Sequence, residues 1–204
     1  TRINGKGSLG VSFINTGNGN VGYPDRKLGG AILALNTENK SKVLVSWKGR
    51  TLTPNARQYA IRLQYRIGDI MPFQELLNEH GTPIEYLRSN VAGDSAVFLS
   101  VALPDTLLNL PYLQLLWRYY WKSGTSGARD ELGIDDIEVV SQQTLTGVSP
   151  AGQSIQSNGM IISTVNISNT ADVLYRALKS IELKPGFEVQ QGAVFKAQIV
   201  NCDQ

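Results

Sequence analysis

Between Tyr59 and Ile67 every odd position is a large apolar or aromatic residue, and the even positions hold Ala60, Arg62, Gln64 and Arg66. Successive side chains of an extended strand point to opposite faces, so a period of two over this stretch predicts a half-buried β-strand. Val43, Val45 and Trp47 carry the same period upstream, ahead of a turn at Lys48-Gly49-Arg50. Residues 96–103 form a mostly apolar, β-branched run that stops at Pro104. Leu113, Leu115, Trp117, Tyr119 and Trp121 mark another apolar face, with Gln114, Arg118 and Tyr120 on its back. Residues 134–140 give a further strand after a Gly/Ser loop at 123–127. The opening is strand-like at 10–14 and 31–35, with Gly/Asn-rich turns between. Helical signal is confined to two short stretches, 71–79 and 104–110. Strands at regular spacing, divided by turn residues, predict an all-β fold: an antiparallel β-sandwich over residues 1–146.

The texture changes near Thr146. Gly147-Val148-Ser149-Pro150-Ala151-Gly152 is composed like a linker (147–152). Beyond it, 153–204 holds very short β segments separated by polar or glycine turns, with an echo between residues 180–183 and 195–199. That predicts a small C-terminal β-rich domain, a β-solenoid or a compact β-sheet. A domain of this size buries too little surface to be robust alone. It is expected to lean on the sandwich or on a neighbouring chain, with edge strands open to strand addition.

Composition narrows the function. Nineteen Lys and Arg against seventeen Asp and Glu leave a net charge of +2, which excludes a strongly basic nucleic-acid surface. Hydrophobic residues make up 42% and charged residues 18%, enough apolar material for a core and too little charge for disorder. No apolar run approaches the roughly 20 residues of a membrane span, so no membrane insertion is expected. Cys202 is the single cysteine and His80 the single histidine, which removes internal disulfides, cysteine-rich zinc sites and most triad chemistry. The chain opens on Thr1 without the apolar stretch of a signal peptide, as expected of a piece of a longer protein.

Three sets of residues could carry chemistry. Gly133-Ile134-Asp135-Asp136-Ile137-Glu138 approaches the Glu-x-Asp-x-x-Glu strand of laminarinase-like glycosidases, but Gly133 stands where the nucleophile belongs. A retaining mechanism needs two carboxyls about 5 Å apart, so no catalytic residue and no enzyme is expected. Asp135 and Asp136, with Asp94 or Asp130, are oxygen donors suited to calcium, the candidate cofactor. The alternative is loop capping or pairing with Arg129. Arg62, Gln64, Arg66, Gln114, Arg118 and Tyr120 share a polar strand face. Forked donors beside an aromatic ring suit sugar hydroxyls, and the same residues also suit cross-strand support. His80 reads as a loop residue, Cys202 as an incidental thiol, and Trp47, Trp117 and Trp121 as core. Asn39 and Asn166 head N-glycosylation sequons.

Two stretches resemble known families. Arg2-Ile3-Asn4-Gly5, Gly10-Val11-Ser12-Phe13-Ile14, Val45-Ser46-Trp47-Lys48-Gly49, residues 61–68, residues 115–120 and Ile134-Asp135-Asp136-Ile137 together resemble a jelly-roll module of secreted and cell-surface proteins of the Bacteroidetes. The Ile-Asp-Asp-Ile is similar to the end of MAM-like and galactose-binding-like jelly rolls. Residues 175–187 with 192–199 resemble a short β-rich repeat that often precedes the sorting domain of type IX secreted proteins, a domain without counterpart in these residues. The resemblance implies an extracellular or cell-surface, non-catalytic segment of a larger or assembled protein. It also makes Asp94-Ser95-Ala96 and Asp105-Thr106-Leu107 resemble O-glycosylation signals of that phylum, at Ser95 and Thr106. The leading expectation is a structural or adhesion protein acting through other protein subunits or the cell surface, with polymerisation open to it. The alternative is a carbohydrate-binding module that takes glycans on the arginine face, supported by calcium.

Overall fold

A computed structural model of the chain describes residues 1–16, 29–149 and 152–201. The Gly/Asn-rich turns expected ahead of residue 31 fall largely outside these residues, as does Cys202. Strands dominate the described residues, helix is confined to two short 3-10 turns, and the chain forms two compact units. Unit 1 comprises Thr1–Asn36, Val45–Val101 and Leu110–Glu138. Unit 2 comprises Thr37–Leu44, Ala102–Asn109 and Val139–Gln204.

Unit 1 is the antiparallel sandwich that the alternation predicts. One sheet runs β1 (Arg2–Gly5), β2 (Val11–Ile14), β10 (Glu131–Leu145), with β4 (Lys42–Thr53) pairing β10 and β8 (Ser95–Ala102). The other orders β3 (Gly29–Leu35), β9 (Leu113–Ser123), β5 (Gln58–Ile67) and β6 (Gln74–Glu75), with β7 (Glu85–Leu87) also on β5. Odd positions of β4, β5 and β9 meet Phe13, Leu132 and Ile134 in the core. Val45, Trp47, Tyr59, Ile61, Leu63, Leu115, Trp117 and Tyr119 are all buried. The aromatics lock together: Phe13 stacks on Tyr119 at 6.1 Å, Trp47 lies on Phe98 at 4.3 Å, and Trp117 meets Trp47 edge-on at 6.3 Å. Each such side chain contributes about 1.5–3 kcal/mol by leaving water.

The stretch 71–79 is extended where a helical turn was expected. Leu76 donates its amide to Leu63 O, and Gln64 stands opposite Glu75, so the segment is held as an edge strand of β5. Leu76 is buried and Leu77 exposed, a period of two rather than a helical stripe. The other expected turn is a single 3-10 turn at Asp105–Leu107, with Leu107 buried.

Unit 2 is built round a parallel β-solenoid. The first coil uses Gln142–Leu145 of β10, then β11 (Val148–Ser149) and β12 (Gln153–Ser157). The second is β13 (Met160–Ser163), β14 (Asn166–Ile167) and β15 (Asp172–Ala177). The third is β16 (Ser180–Leu183), β17 (Glu188–Val189) and β18 (Val194–Ile199). Three parallel ladders join them: Gln142 to Met160 to Ser180, Val148 to Asn166 to Glu188, and Gln153 to Val173 to Phe195. One turn takes about 20 residues, within the range of solenoid repeats. Ile161, Val165, Ile167, Val173, Tyr175 and Ala177 fill the middle coil, with Phe187 and Phe195 packed against them. Tyr175 meets Phe195 edge-on at 5.0 Å and shares a 3.1 Å hydrogen bond with Ser163.

Candidate functional site

The register of β5 and β9 assembles the polar face. Arg62 stands opposite Arg118, Arg66 opposite Gln114, and Ala60 opposite Tyr120, so all six expected residues share one side of the sheet. Two further strands bring carboxylates to it: β6 sets Glu75 beside Gln64, and β7 sets Glu85 beside Arg62.

Most of this face is satisfied internally. Arg62 donates Nη1 to Glu75 Oε1 at 3.2 Å and Nη2 to Glu85 Oε1 at 3.1 Å. Burial works against its charge, but Glu85 and Glu75 outweigh burial and raise its pKa. Tyr120 hydroxyl accepts from Arg62 Nη2 at 2.9 Å and donates to Glu85. Lys122 Nζ holds the other Glu85 oxygen at 3.0 Å. Gln64 is buried; it donates to Glu75 Oε1 at 3.0 Å and accepts from Arg118 Nε. Arg62, Gln64, Glu75, Glu85 and Tyr120 therefore form one braced network.

The Arg66 end differs. Among the described residues Arg66 donates only Nε, to Gln114 Oε1 at 2.6 Å. Its guanidinium lies 4.5 Å from the centroid of Phe73, and Arg118 lies 5.8 Å from the same ring. No carboxylate pairs with Arg66 among the described residues. Gln114 turns its amide to Tyr112 hydroxyl, and the Tyr112 side chain is 41% exposed. The result is an open guanidinium, stacked from below, tied through Gln114 to an exposed phenol ring. Phe73, Glu75, Glu85 and Tyr112 were not among the residues that the pattern singled out. Glu75 and Phe73 were hidden by the helical reading of 71–79, and a period-two reading of that stretch puts both on one face.

The other candidates are not drawn together. Asp135 accepts from the amide of Asp136, whose own carboxylate lies 3.8 Å from Lys48 Nζ. Asp94 accepts from Ser89 Oγ at 2.6 Å. Asp130 is buried, holds the amides of Asn55 and Tyr59 at 2.6 and 2.8 Å, and lies 3.5 Å from Arg88. Burial raises its pKa against the pull of those partners. No group of three potential metal ligands occurs among the described residues. Gly133 lies in β10 opposite Ser12, where a Cβ would come 2.9 Å from Leu52 and 3.1 Å from Val11 O. A side chain there needs Leu52 to move and Val11 O to give by a few tenths of an ångström. Ser95 and Thr106 are exposed, the first opening β8 and the second in the 3-10 turn. His80 is exposed beside Glu79. Asn39 is exposed, and Asn166 donates to Glu188 at 2.9 Å.

No family model matches the chain, and no curated protein matches it. Among solved structures, a Xylanase10C mutant from Cellvibrio japonicus in complex with xylopentaose aligns over 76% of this chain, at 11% identity and a TM-score of 0.37. This chain spans 29% of that xylanase. A Family 16 Carbohydrate Binding Module-2 aligns over 64% of this chain and 74% of its own, at 14% identity and a TM-score of 0.29. At these values neither neighbour bears on function.

Proposed function

We propose that unit 1 is a non-catalytic glycan-binding module whose contact surface is the Arg66 end of the polar sheet face. The observation that carries this is the state of Arg66. It is fixed by Phe73 and Gln114 but spends neither Nη group on another described residue, and the exposed Tyr112 ring stands one side chain away. A sugar ring stacks on a phenol face, and a guanidinium fork fixes adjacent hydroxyls. The Arg62 network beside it acts as a rigid support, which lowers the ordering cost of binding. A hydrolytic role lacks support: Gly133 supplies no carboxylate, and Glu75 and Glu85 are both engaged by one guanidinium. Action outside the cell, on a larger surface protein, goes with this reading on the resemblance of residues 1–141 to secreted modules.

The test is a glycan array with the wild-type chain, Arg66→Ala and Tyr112→Ala, run with and without calcium. Each variant is expected to lose at least roughly tenfold in affinity, about 1.4 kcal/mol, while keeping its fold. A wild-type chain that binds no glycan overturns the reading, as does binding that both variants keep.

A further inference from the structure

Charge is spread unevenly over the polar face of β5 and β9. Four cations, Arg62, Arg66, Arg118 and Lys122, stand on or beside it against two carboxylates, Glu75 and Glu85. The excess of two positive charges equals the net charge of the whole chain. Both carboxylates are committed at the Arg62 end. Glu75 takes Arg62 and Gln64, and Glu85 takes Arg62, Tyr120 and Lys122. The excess therefore falls on Arg66 and Arg118.

These two guanidiniums converge on one ring. Arg66 lies 4.5 Å and Arg118 5.8 Å from the centroid of Phe73. Two like charges thus stand within roughly one Debye length of each other, about 10 Å at 0.1 M salt. Each Nε is held by a neutral amide, Arg66 by Gln114 Oε1 and Arg118 by Gln64 Oε1. The amides orient both groups without cancelling either charge. Asp69, in the turn after β5, forms no ion pair among the described residues.

A ligand that covers Arg66 takes water from a cation. A neutral sugar returns only hydroxyl dipoles, whereas an anion returns charge. A carboxylate also matches the guanidinium fork, two oxygens on two N–H groups.

We infer that the glycan taken by this face is acidic: an anionic substituent, carboxylate or sulfate, seats on the Arg66 fork beside Arg118 while a sugar ring lies on Tyr112. The inference rests on the glycan-binding reading above and narrows it to one ligand class. Arg66 and Arg118 set the preference for charge, and Tyr112 supplies a contact open to any sugar.

The probes are matched oligosaccharide pairs that differ only in charge. Oligogalacturonate and oligoglucuronate are set against their methyl esters, and sulfated galactan fragments against their desulfated forms. Affinity for the intact chain is read by isothermal titration calorimetry at about 50 and about 300 mM NaCl. At least one acidic member is expected to bind roughly tenfold more tightly than its neutral counterpart, by a margin that shrinks at the higher salt. A margin in the ester pairs identifies a carboxylate, and one in the galactan pair a sulfate. Arg66→Gln is expected to erase the margin and Arg66→Lys to keep part of it, with circular dichroism reporting that both fold. Neutral members that bind as tightly as acidic ones, through Arg66, overturn the inference and leave the glycan-binding reading standing. Binding of no member overturns the inference, and a blank glycan array takes the reading with it. A margin that survives Arg66→Gln overturns it by placing the anion elsewhere. Polyglutamate bound as tightly as the acidic sugar overturns it in favour of a general anion surface.

Discussion

Tyr59 and Tyr119 lie face to face, 4.5 Å between ring centroids and 5° from parallel. Both rings are buried, one from β5 and one from β9. Asn15 reaches both hydroxyls. Asn15 Nδ2 donates to Tyr59 hydroxyl at 2.9 Å, and Tyr119 hydroxyl donates to Asp130 O at 2.7 Å while accepting from Asn15 N at 3.3 Å. Burial raises the pKa of Tyr119, so its hydroxyl remains a donor over the working pH range. Tyr119→Phe keeps the stacked ring and removes one hydrogen-bonding group from a dry site. It leaves the Asp130 carbonyl and the Asn15 amide without that partner. A loss of about 1–3 kcal/mol is expected in urea unfolding. A loss below 0.5 kcal/mol, on the order of surface substitutions, would show that the hydroxyl is dispensable.

Neighbouring acids respond to pH in opposite senses. Burial pushes the pKa of Glu131 up, but Lys6 Nζ at 2.7 Å and Ser12 Oγ at 2.6 Å outweigh it and leave the pKa lowered. A lowered acid contributes stability above its unfolded pKa and loses it as pH falls through the folded value. Asp130, raised by burial, behaves inversely: its contribution is present at low pH and lost as pH rises through its raised value. Glu131→Gln should therefore lower the melting temperature at neutral pH. The gap to wild type should close below about pH 4, under the ordinary carboxylate value. Melting curves across that range check it, and a gap constant with pH would remove Glu131 from the account.

The arginine face predicts a division of labour. Arg62→Ala leaves Glu75 and Glu85 mostly buried, with Glu85 keeping Lys122 as its cation and the Tyr120 hydroxyl as a donor. Uncompensated charge of this kind costs on the order of 3 kcal/mol, less the part that solvent screens. Arg66→Ala removes a cation that no carboxylate pairs among the described residues, so about 1 kcal/mol or less is expected, mainly its packing on Phe73. Chemical denaturation of the two variants separates support from contact surface. Equal losses would contradict the division.

The strands of unit 1 were legible because a half-buried strand writes its burial into a local period of two. Tyr59 to Ile67 and the odd positions of β9 show it directly. The 71–79 stretch was not legible in the same way. Glu75, Leu76, Leu77 and Glu79 favour helix intrinsically, and pairing with β5 overrides that preference. The solenoid was visible as texture but not as register. The echo between 180–183 and 195–199 links two sides of one coil, whereas the ladders join 180–183 to 160–163 and 194–199 to 172–177. A repeat of about 20 residues with strands as short as two leaves little local signal. At the candidate site the basic and amide residues of β5 and β9 could be read. Glu75, Glu85, Phe73 and Tyr112 could not, because their relation to that face depends on how the intervening segments return.

Two solenoid glycines separate sterics from backbone preference. Gly159 follows β12, and a Cβ there would run into the backbone of Ser141. Its neighbour Ser157 already uses its hydroxyl to hold the Gly159 amide at 3.2 Å, so the corner cannot shift freely. Gly186 has a φ of +97° with open space around its Cβ position. Gly159→Ala must displace main chain in the first coil, and a loss of about 1–3 kcal/mol or more is expected. Gly186→Ala meets only the cost of an unfavourable φ, about 1–2 kcal/mol. Alanine at 159 should accordingly lower the melting temperature more than alanine at 186, read by far-ultraviolet circular dichroism. The reverse order would mean that the Ser141 corner yields, and that backbone conformation at the third coil limits unit 2 instead.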